Sequence, residues 1–502
     1  MLPRNIQSCM RLRLPRASTR IIRRYKSSVA APALAPVTTI EKIILDNIKA
    51  TGPISFASYM QFCLGHPTHG YYANPTQPVF GAKGDFITSP EISQVFGELV
   101  GVWLVSQWMA HIAKAKVEGK QRGKKTVRIV ELGPGRGTLM ADILRVISQF
   151  PATHAALTHV HLVDNSAYMC ALQATTLQPL AQKCGVKLEW HDALEDVPAA
   201  PEEEDVYTML VAHEFFDALP INLLERTDQG WHEVLIANNP PPSQPLSDAP
   251  SSDSNSSPTP TPTPTDTTPT SAEPTATEGI DARFRLVLTP APTTQGTLLG
   301  LSSPRFTALP VGKRVEVSHA AFKAARKVGE LLSGGGRVTE DGDADHMREG
   351  GRKARKGHGA GAGLVVDYGG DAAFDNSFRA FKDHALVDPF HRPGECDLTT
   401  NVDFAYIKEA FAGVPDVRSH GPLPQGAFLT RMGLHARMAA LARVQPGRAG
   451  EIREAGERLV DEAGMGNEYK VLGITVEQDL GGGAEVWPFV DLGEPGKGEG
   501  VD

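Results

Sequence analysis

Short apolar runs alternate along most of the chain with stretches whose apolar residues recur every three to four positions. This is the pattern of a parallel sheet covered by helices on both faces. The runs at 127–131, 160–164, 186–190, 206–212, 284–288 and 363–367 are predicted strands, and 469–475 is the expected closing edge strand. Ile92, Val95, Phe96, Leu99, Val100, Trp103 and Leu104 fall at helical spacing behind Thr88-Ser89-Pro90-Glu91. A hydroxyl there and Glu91 can satisfy the first free amides, so a helix is expected to start at that point and pack on the sheet.

Two stretches interrupt the alternation. Residues 240–278 are nearly devoid of apolar side chains and contain Pro258-Thr259-Pro260-Thr261-Pro262-Thr263-Pro264-Thr265. Residues 334–363 run from Gly334-Gly335-Gly336 through Arg352-Lys353-Ala354-Arg355-Lys356 to Gly361-Ala362-Gly363. Both are expected to be disordered surface insertions, since they cannot bury enough apolar area to offset the entropy of ordering. The remaining chain divides into an N-terminal helical region (38–125), a main domain (126–480) and a flexible tail (481–502).

The bulk composition adds limits. The chain has 502 residues, 41% of them hydrophobic, with a mean hydropathy of -0.21, which is the composition of a globular protein. Charge, Gly or Pro breaks every apolar stretch before the roughly 18–20 residues a membrane-spanning helix requires. Five cysteines without a C-x-x-C pair suggest neither a disulfide framework nor a thiolate zinc site. His66 and His69 have metal-pair spacing, but Pro67 and Gly70 favour a turn and no third ligand is apparent, so no metal is expected.

The first 28 residues carry Arg4, Arg11, Arg13, Arg16, Arg20, Arg23, Arg24 and Lys26 among apolar residues and serines, before the first acid at Glu41. This is the chemistry of a mitochondrial transit peptide (1–28). Its removal takes the formal charge from -8 to -16, a poor balance for binding nucleic acid.

The chemistry-bearing motif is Glu131-Leu132-Gly133-Pro134-Gly135-Arg136-Gly137, between a predicted strand and the helical stretch 138–147. Glycines let a ligand approach the backbone closely and accept positive φ. A dinucleotide fingerprint needs glycine at 138, where Thr138 stands, so the spacing favours S-adenosylmethionine over NAD. That ligand presents an ammonium group and ribose hydroxyls, and both want carboxylates. Glu131 ends the first strand and Asp164 the second, in positions to meet these two groups. Asp192 follows the third strand, where such folds often read the adenine. Asp85 either closes over the cofactor or forms a turn.

Long blocks through nearly the whole mature chain resemble one family, the MidA-like mitochondrial complex I assembly methyltransferases and their bacterial relatives. They include His66-Pro67, Gly70-Tyr71-Tyr72, Gly84-Asp85-Phe86-Ile87-Thr88-Ser89-Pro90-Glu91, the glycine-rich turn, Ala212-His213-Glu214-Phe215-Phe216-Asp217-Ala218-Leu219-Pro220, Val366-Asp367-Tyr368-Gly369 and Asp397-Leu398-Thr399. Gln425-Gly426-Ala427-Phe428-Leu429, which looks like the start of a strand, and Lys470-Val471-Leu472-Gly473-Ile474-Thr475 complete the set. The chain departs from the family by its two insertions, which could extend a partner surface, and by His213, where bacterial members commonly have Asn.

The resemblance implies a class I methyltransferase fold, Rossmann-like with a mostly parallel seven-stranded sheet, an N-terminal helical extension and the two insertions. It further implies a location in the mitochondrial matrix, symmetric dimethylation of an arginine on a core complex I subunit of the peripheral arm, and a role in assembly. S-adenosyl-L-methionine is the implied methyl donor; a homodimer is left open. A non-catalytic assembly chaperone that keeps the fold is the rival reading.

Arginine is a hard nucleophile to use, because its guanidinium is delocalised and always charged, and carboxylates are needed to orient it. Glu214 and Asp217, directly after the fourth strand, are the expected catalytic pair, with Glu214 gripping the guanidinium and Asp217 orienting it or carrying off a proton indirectly. The alternative is that Glu214 caps a following helix. Asp388, His391, Asp397, Thr399 and Asn401 form a polar stretch that either shapes the acceptor pocket or holds its own loop together.

Overall fold

The computed structural model describes residues 36–73, 87–117, 119, 125–200, 205–239, 283–334, 359–476 and 485–491. The expected transit peptide (1–28), the expected insertion at 240–278 and Asp85 lie outside the described residues, as does most of 334–363.

The central sheet is built from β1 (Thr126–Leu132), β2 (Leu157–Val163), β3 (Lys187–His191), β4 (Val206–His213), β5 (Ala360–Gly370), β6 (Val417–Pro424) and β7 (Tyr469–Val476). Their spatial order is β3-β2-β1-β4-β5-β7-β6, and the two-residue strand Val402–Asp403 pairs with the end of β5. The first five strands of that order are mutually parallel; β7 runs antiparallel to both β5 and β6.

Side chains alternate between two buried faces, as strands demand. Ile129, Leu162, Met209, Leu364 and Val471 join one core with the helices Gln94–Val117 and Thr138–Ile147. Val130, Val163, Leu210, Val365 and Leu472 join the other, under the helices His319–Ser333 and Phe404–Ala412.

A second lobe forms around an antiparallel sheet of Ile54–Ser55, Asn222–Thr227, Gly230–Asn238, Phe284–Leu288 and Arg314–Val317. A three-stranded sheet, Arg379–Lys382, Ala385–Val387 and Asp397–Thr399, completes it. Ile40, Ile44, Tyr59 and Met60 from the helices Thr39–Thr51 and Phe56–Gly65 share a core there with Leu223, Ile236, Ala380 and Leu398.

Six expectations change. The run 284–288 is a strand, but of the antiparallel lobe, where it pairs with Gly230–Asn238; periodicity does not say which sheet a strand joins. Tyr469–Val476 is not the edge, because β6 lies outside it. Gln425 starts the helix Gln425–Arg431 instead of a strand.

At 88, Thr88 makes no side-chain cap, and the helical run divides at Ser93 into Ser89–Ile92 and Gln94–Val117. The Ser93 hydroxyl and carbonyl then accept from the amides of Val95 and Phe96. Residues 360–363 belong to β5 and not to an insertion: a side chain at Gly361 would meet the Thr208 carbonyl at 2.5 Å. Glycine there reflects close packing of β5 against β4.

The tail is also partly structured. Trp103 Nε1 donates to the Trp487 carbonyl at 2.9 Å, Arg431 Nη1 to that of Pro488 at 2.7 Å, and Val486 is buried. Gln94–Val117 is long and apolar enough by composition to cross a membrane, but 61% of its most apolar window is buried inside the protein. Its apolar residues are thus used by the core.

Candidate active site

The glycine-rich turn follows from its sequence. Gly133, Gly135 and Gly137 have φ of 62°, 52° and 82°, values that side chains disfavour. A Cβ at Gly133 would stand 3.2 Å from the Phe215 ring, and one at Gly137 3.2 Å from Leu177. Gly137 is the N-cap of Thr138–Ile147, so the first free amides of that helix follow the turn.

Glu131 lies buried beneath the turn. Its Oε2 has no hydrogen-bond partner among the described residues, and burial pushes its carboxyl up to about 8. Asp164 accepts from the Ser166 amide at 2.9 Å and from Gln173 Nε2 at 2.8 Å. Burial raises it against the pull of those bonds. Gln173, which the sequence did not single out, also donates to the Gly135 carbonyl at 2.9 Å and accepts from Trp190 Nε1. It ties the turn, the second strand end and β3 together.

A cavity of about 530 Å³ opens above these strand ends. Gly133, Gly135, Asp164 and Asp192 line one part of it; Glu214, Asp217, Tyr368, Asp397 and Thr399 line another. Met60, Leu64 and Tyr72 of the second lobe form part of its wall. Glu131 and Gly137 are not on that wall: the first sits below the turn, and the second packs on Leu177.

The acidic end is shaped by a strained corner. Glu214 has φ 50°, unusual for a side-chain-bearing residue, and its amide donates to the Val366 carbonyl at 2.9 Å. Asp367 holds the corner by accepting from the amides of Phe216 at 2.9 Å, Asp217 at 3.3 Å and Tyr368 at 2.9 Å. No helix follows, so Glu214 caps none. Phe216 is core, whereas Phe215 lines the cavity.

Glu214 Oε1 accepts from the Tyr469 hydroxyl at 2.6 Å, and the Tyr368 hydroxyl lies 2.5 Å from that of Tyr469. Burial pushes Glu214 up to about 8; the Tyr469 bond opposes this, and Asp217 and Asp397 add to it. Asp217 Oδ2 accepts from Thr399 at 2.6 Å, and its Oδ1 is buried with no partner among the described residues. Burial raises this acid too, against Thr399 and the nearby Arg379. Behind Glu214, His213 is pushed down to about 3 by burial, so it is neutral.

Of the polar stretch 388–401, only Asp397 and Thr399 face the cavity. Asp388 accepts from the Phe390 amide at 2.7 Å and Asn401 from Arg379 at 2.7 Å, which hold the loop. Tyr72, Tyr368 and Tyr469 were not candidates. Tyr368 alone carried a signal, standing just past an acid at a strand end.

His66 Nδ1 accepts from the His69 amide at 3.3 Å, which is a turn. Elsewhere, His161 Nδ1 lies 3.0 Å from His191 Nε2 and 3.3 Å from Glu189 Oε2, a grouping that could hold a metal. Lys187 pairs with Glu189 there, and burial, with Arg128 nearby, pushes His161 down to about 4. Hydrogen bonds account for that arrangement.

Residues 99–423 match the family described as "Putative S-adenosyl-L-methionine-dependent methyltransferase". The chain is 35% identical over 453 residues to the Drosophila melanogaster protein arginine methyltransferase NDUFAF7 homolog, mitochondrial, covering 87% of this chain and 84% of that one. It is 32% identical over 480 residues to the Homo sapiens protein arginine methyltransferase NDUFAF7, mitochondrial, covering 92% and 88%. In fold it is similar to a superfamily member from Burkholderia thailandensis crystallised with S-adenosyl-homocysteine: TM-score 0.60, 22% identity, 87% of this chain and 92% of that one.

Proposed function

This chain belongs to the family of S-adenosyl-L-methionine-dependent methyltransferases that the fly and human proteins share, and from that premise we propose that its methyl acceptor is a protein arginine. The observation that carries the proposal is the acidic end of the cavity. Glu214, Asp217 and Asp397 face one space, and Asp217 Oδ1 is buried there with no hydrogen-bond partner among the described residues. Buried carboxylates raise one another, and a cation relieves all of them at once. A neutral acceptor would bring these raised acids no such relief.

The methyl-donor end fits its ligand. The backbone of Gly133 and Gly135 on the cavity wall admits close approach, Asp164 and Asp192 suit sugar hydroxyls and a base, and Glu131, beneath the turn, is the acid behind that wall whose Oε2 has no hydrogen-bond partner among the described residues. When bound, S-adenosyl-L-methionine supplies an electrophilic methyl group on sulfur. Glu214, ionised, accepts N–H bonds from the guanidinium and favours positive charge on the nitrogens that do not react. Asp217 fixes the plane of the group and takes the proton that nitrogen loses. Thr399 and Tyr469 hold these two carboxylates in place.

The finer reading is symmetric dimethylation of an arginine on a core complex I subunit in the mitochondrial matrix, in support of complex I assembly. The relatives' names as mitochondrial arginine methyltransferases and the basic first 28 residues support the organelle. The test is titration of the chain with S-adenosyl-L-methionine, followed by a methylarginine assay on complex I peripheral-arm subunits. Glu214→Gln should abolish product while retaining donor binding, and Gly135→Val should lose both. Unchanged turnover in Glu214→Gln would remove it from the mechanism, and donor binding without methylarginine on any subunit would favour an assembly chaperone.

A further inference from the structure

We propose that Asp397, held by Tyr72, binds the acceptor guanidinium together with Glu214 and Asp217 and makes the site select arginine over lysine. This rests on the arginine reading above. Asp397 opens the strand Asp397–Thr399 and pairs in register with Phe381, so it reaches the cavity from the second lobe and not from the central sheet. It is buried, and its Oδ1 accepts from the Tyr72 hydroxyl at 3.0 Å. Its charge contributes to the upward push on both Glu214 and Tyr72, which puts it within electrostatic reach of both.

Tyr72 is itself anchored. Its carbonyl accepts from Ser166 Oγ at 2.9 Å, and the Ser166 amide donates to Asp164 at the donor end of the same cavity. The hydroxyl that orients Asp397 is therefore fixed through the main chain to the second strand end. Asp367, the other acid nearby, is occupied by three backbone amides and serves the corner instead.

The chemistry distinguishes the two basic side chains. An ammonium is a compact point charge, whereas a guanidinium spreads its N–H donors around a plane and needs acceptors on more than one edge. Glu214 and Asp217 come from one chain corner; Asp397 comes from a different sheet. Three carboxylates lining one cavity offer enough acceptors to serve more than one edge of that plane. Met60, Leu64 and Phe381 add apolar wall for the arginine methylenes.

The experiment measures binding of a capped arginine–glycine peptide and its lysine counterpart to the full chain saturated with S-adenosylhomocysteine. Wild type, Asp397→Asn and Tyr72→Phe are compared, with melting curves for each. The expected result is arginine preference in wild type, lost at least tenfold in Asp397→Asn and partly in Tyr72→Phe, with S-adenosylhomocysteine affinity and melting unchanged. In turnover, KM for the acceptor should rise more than kcat falls, unlike Glu214→Gln. If wild type prefers arginine and Asp397→Asn keeps that preference, this inference is wrong and the arginine reading stands. If wild type shows no arginine preference, both are wrong.

Discussion

Glu214 combines a left-handed backbone, a cost of about 1 kcal/mol or more for a side-chain-bearing residue, with a carboxyl that burial pushes up to about 8. Near neutral pH the free enzyme therefore holds this group largely protonated, while gripping a cation requires it ionised. The kcat/KM for the arginine acceptor should rise about tenfold per pH unit on the acid side and level off above about 8, since that ratio reports the free enzyme. Tyr469→Phe removes the bond that pulls Glu214 down, so the break should move to higher pH; a pH–rate series on both proteins measures it, and a flat profile would exclude Glu214 as the titrating group. Glu131, also raised to about 8, carries the same sign into stability. Its folded-state pKa exceeds the unfolded value, so its stabilising contribution is present in acid and is lost as pH rises towards about 8. Glu131→Gln should accordingly flatten the fall in melting temperature between pH 6 and 8.5 while weakening S-adenosyl-L-methionine binding, and an unchanged slope would show that Glu131 does not titrate in that window.

The helices and strands locate which interactions fix the sheet's outer edge. Gly473 lies within β7, and a Cβ there would stand 2.5 Å from the Phe489 ring. Gly473→Ala should displace the 485–491 segment that carries the Trp487 and Pro488 carbonyls bound by Trp103 and Arg431. Overpacking of this kind costs about 1–3 kcal/mol, readable as a lowered denaturation midpoint with new protease cleavage near residue 485; an unchanged midpoint would mean the segment contributes nothing to the fold. Strands β1 to β5 were legible because each is an apolar run bounded by glycine or charge, and the turn between β1 and its helix was legible because its ligands are contiguous. Strand β6, Val-Arg-Ser-His-Gly-Pro-Leu-Pro, has no such pattern: pairing with β7 makes it a strand, not its own periodicity. The same limit applies to the site. Glu131, Asp164 and Glu214 mark themselves by standing at strand ends, but Tyr72 and Asp397 are separated by 325 residues, and only the folded chain reveals that they touch.

Both long interruptions leave and re-enter the fold at single points, which separates their contribution from that of the catalytic end. Asn238 and Phe284 are register partners, and the Asn239 amide donates to the Arg283 carbonyl at 2.6 Å. At the second interruption, a Cβ on Gly334 would stand 2.5 Å from the Gly359 Cα. Short glycine-containing turns can therefore replace either stretch without moving a strand. Gly334 ends the helix His319–Ser333, whose first turns, at Ala320 and Lys323, line the cavity. At 1.5 Å per residue this puts that base roughly 15–20 Å from the site. Shortening the connection between two fixed points about tenfold lowers its closure cost by about 2 kcal/mol, so melting temperature should hold or rise in both replacements, with S-adenosyl-L-methionine affinity and turnover of a short arginine peptide unchanged. Turnover of an intact protein acceptor is the discriminating measurement. A fall there alone would make the replaced stretch part of the partner surface, whereas a fall in donor affinity would mean that the interruption supports the cavity and that the hinge-point geometry is not the whole of its role.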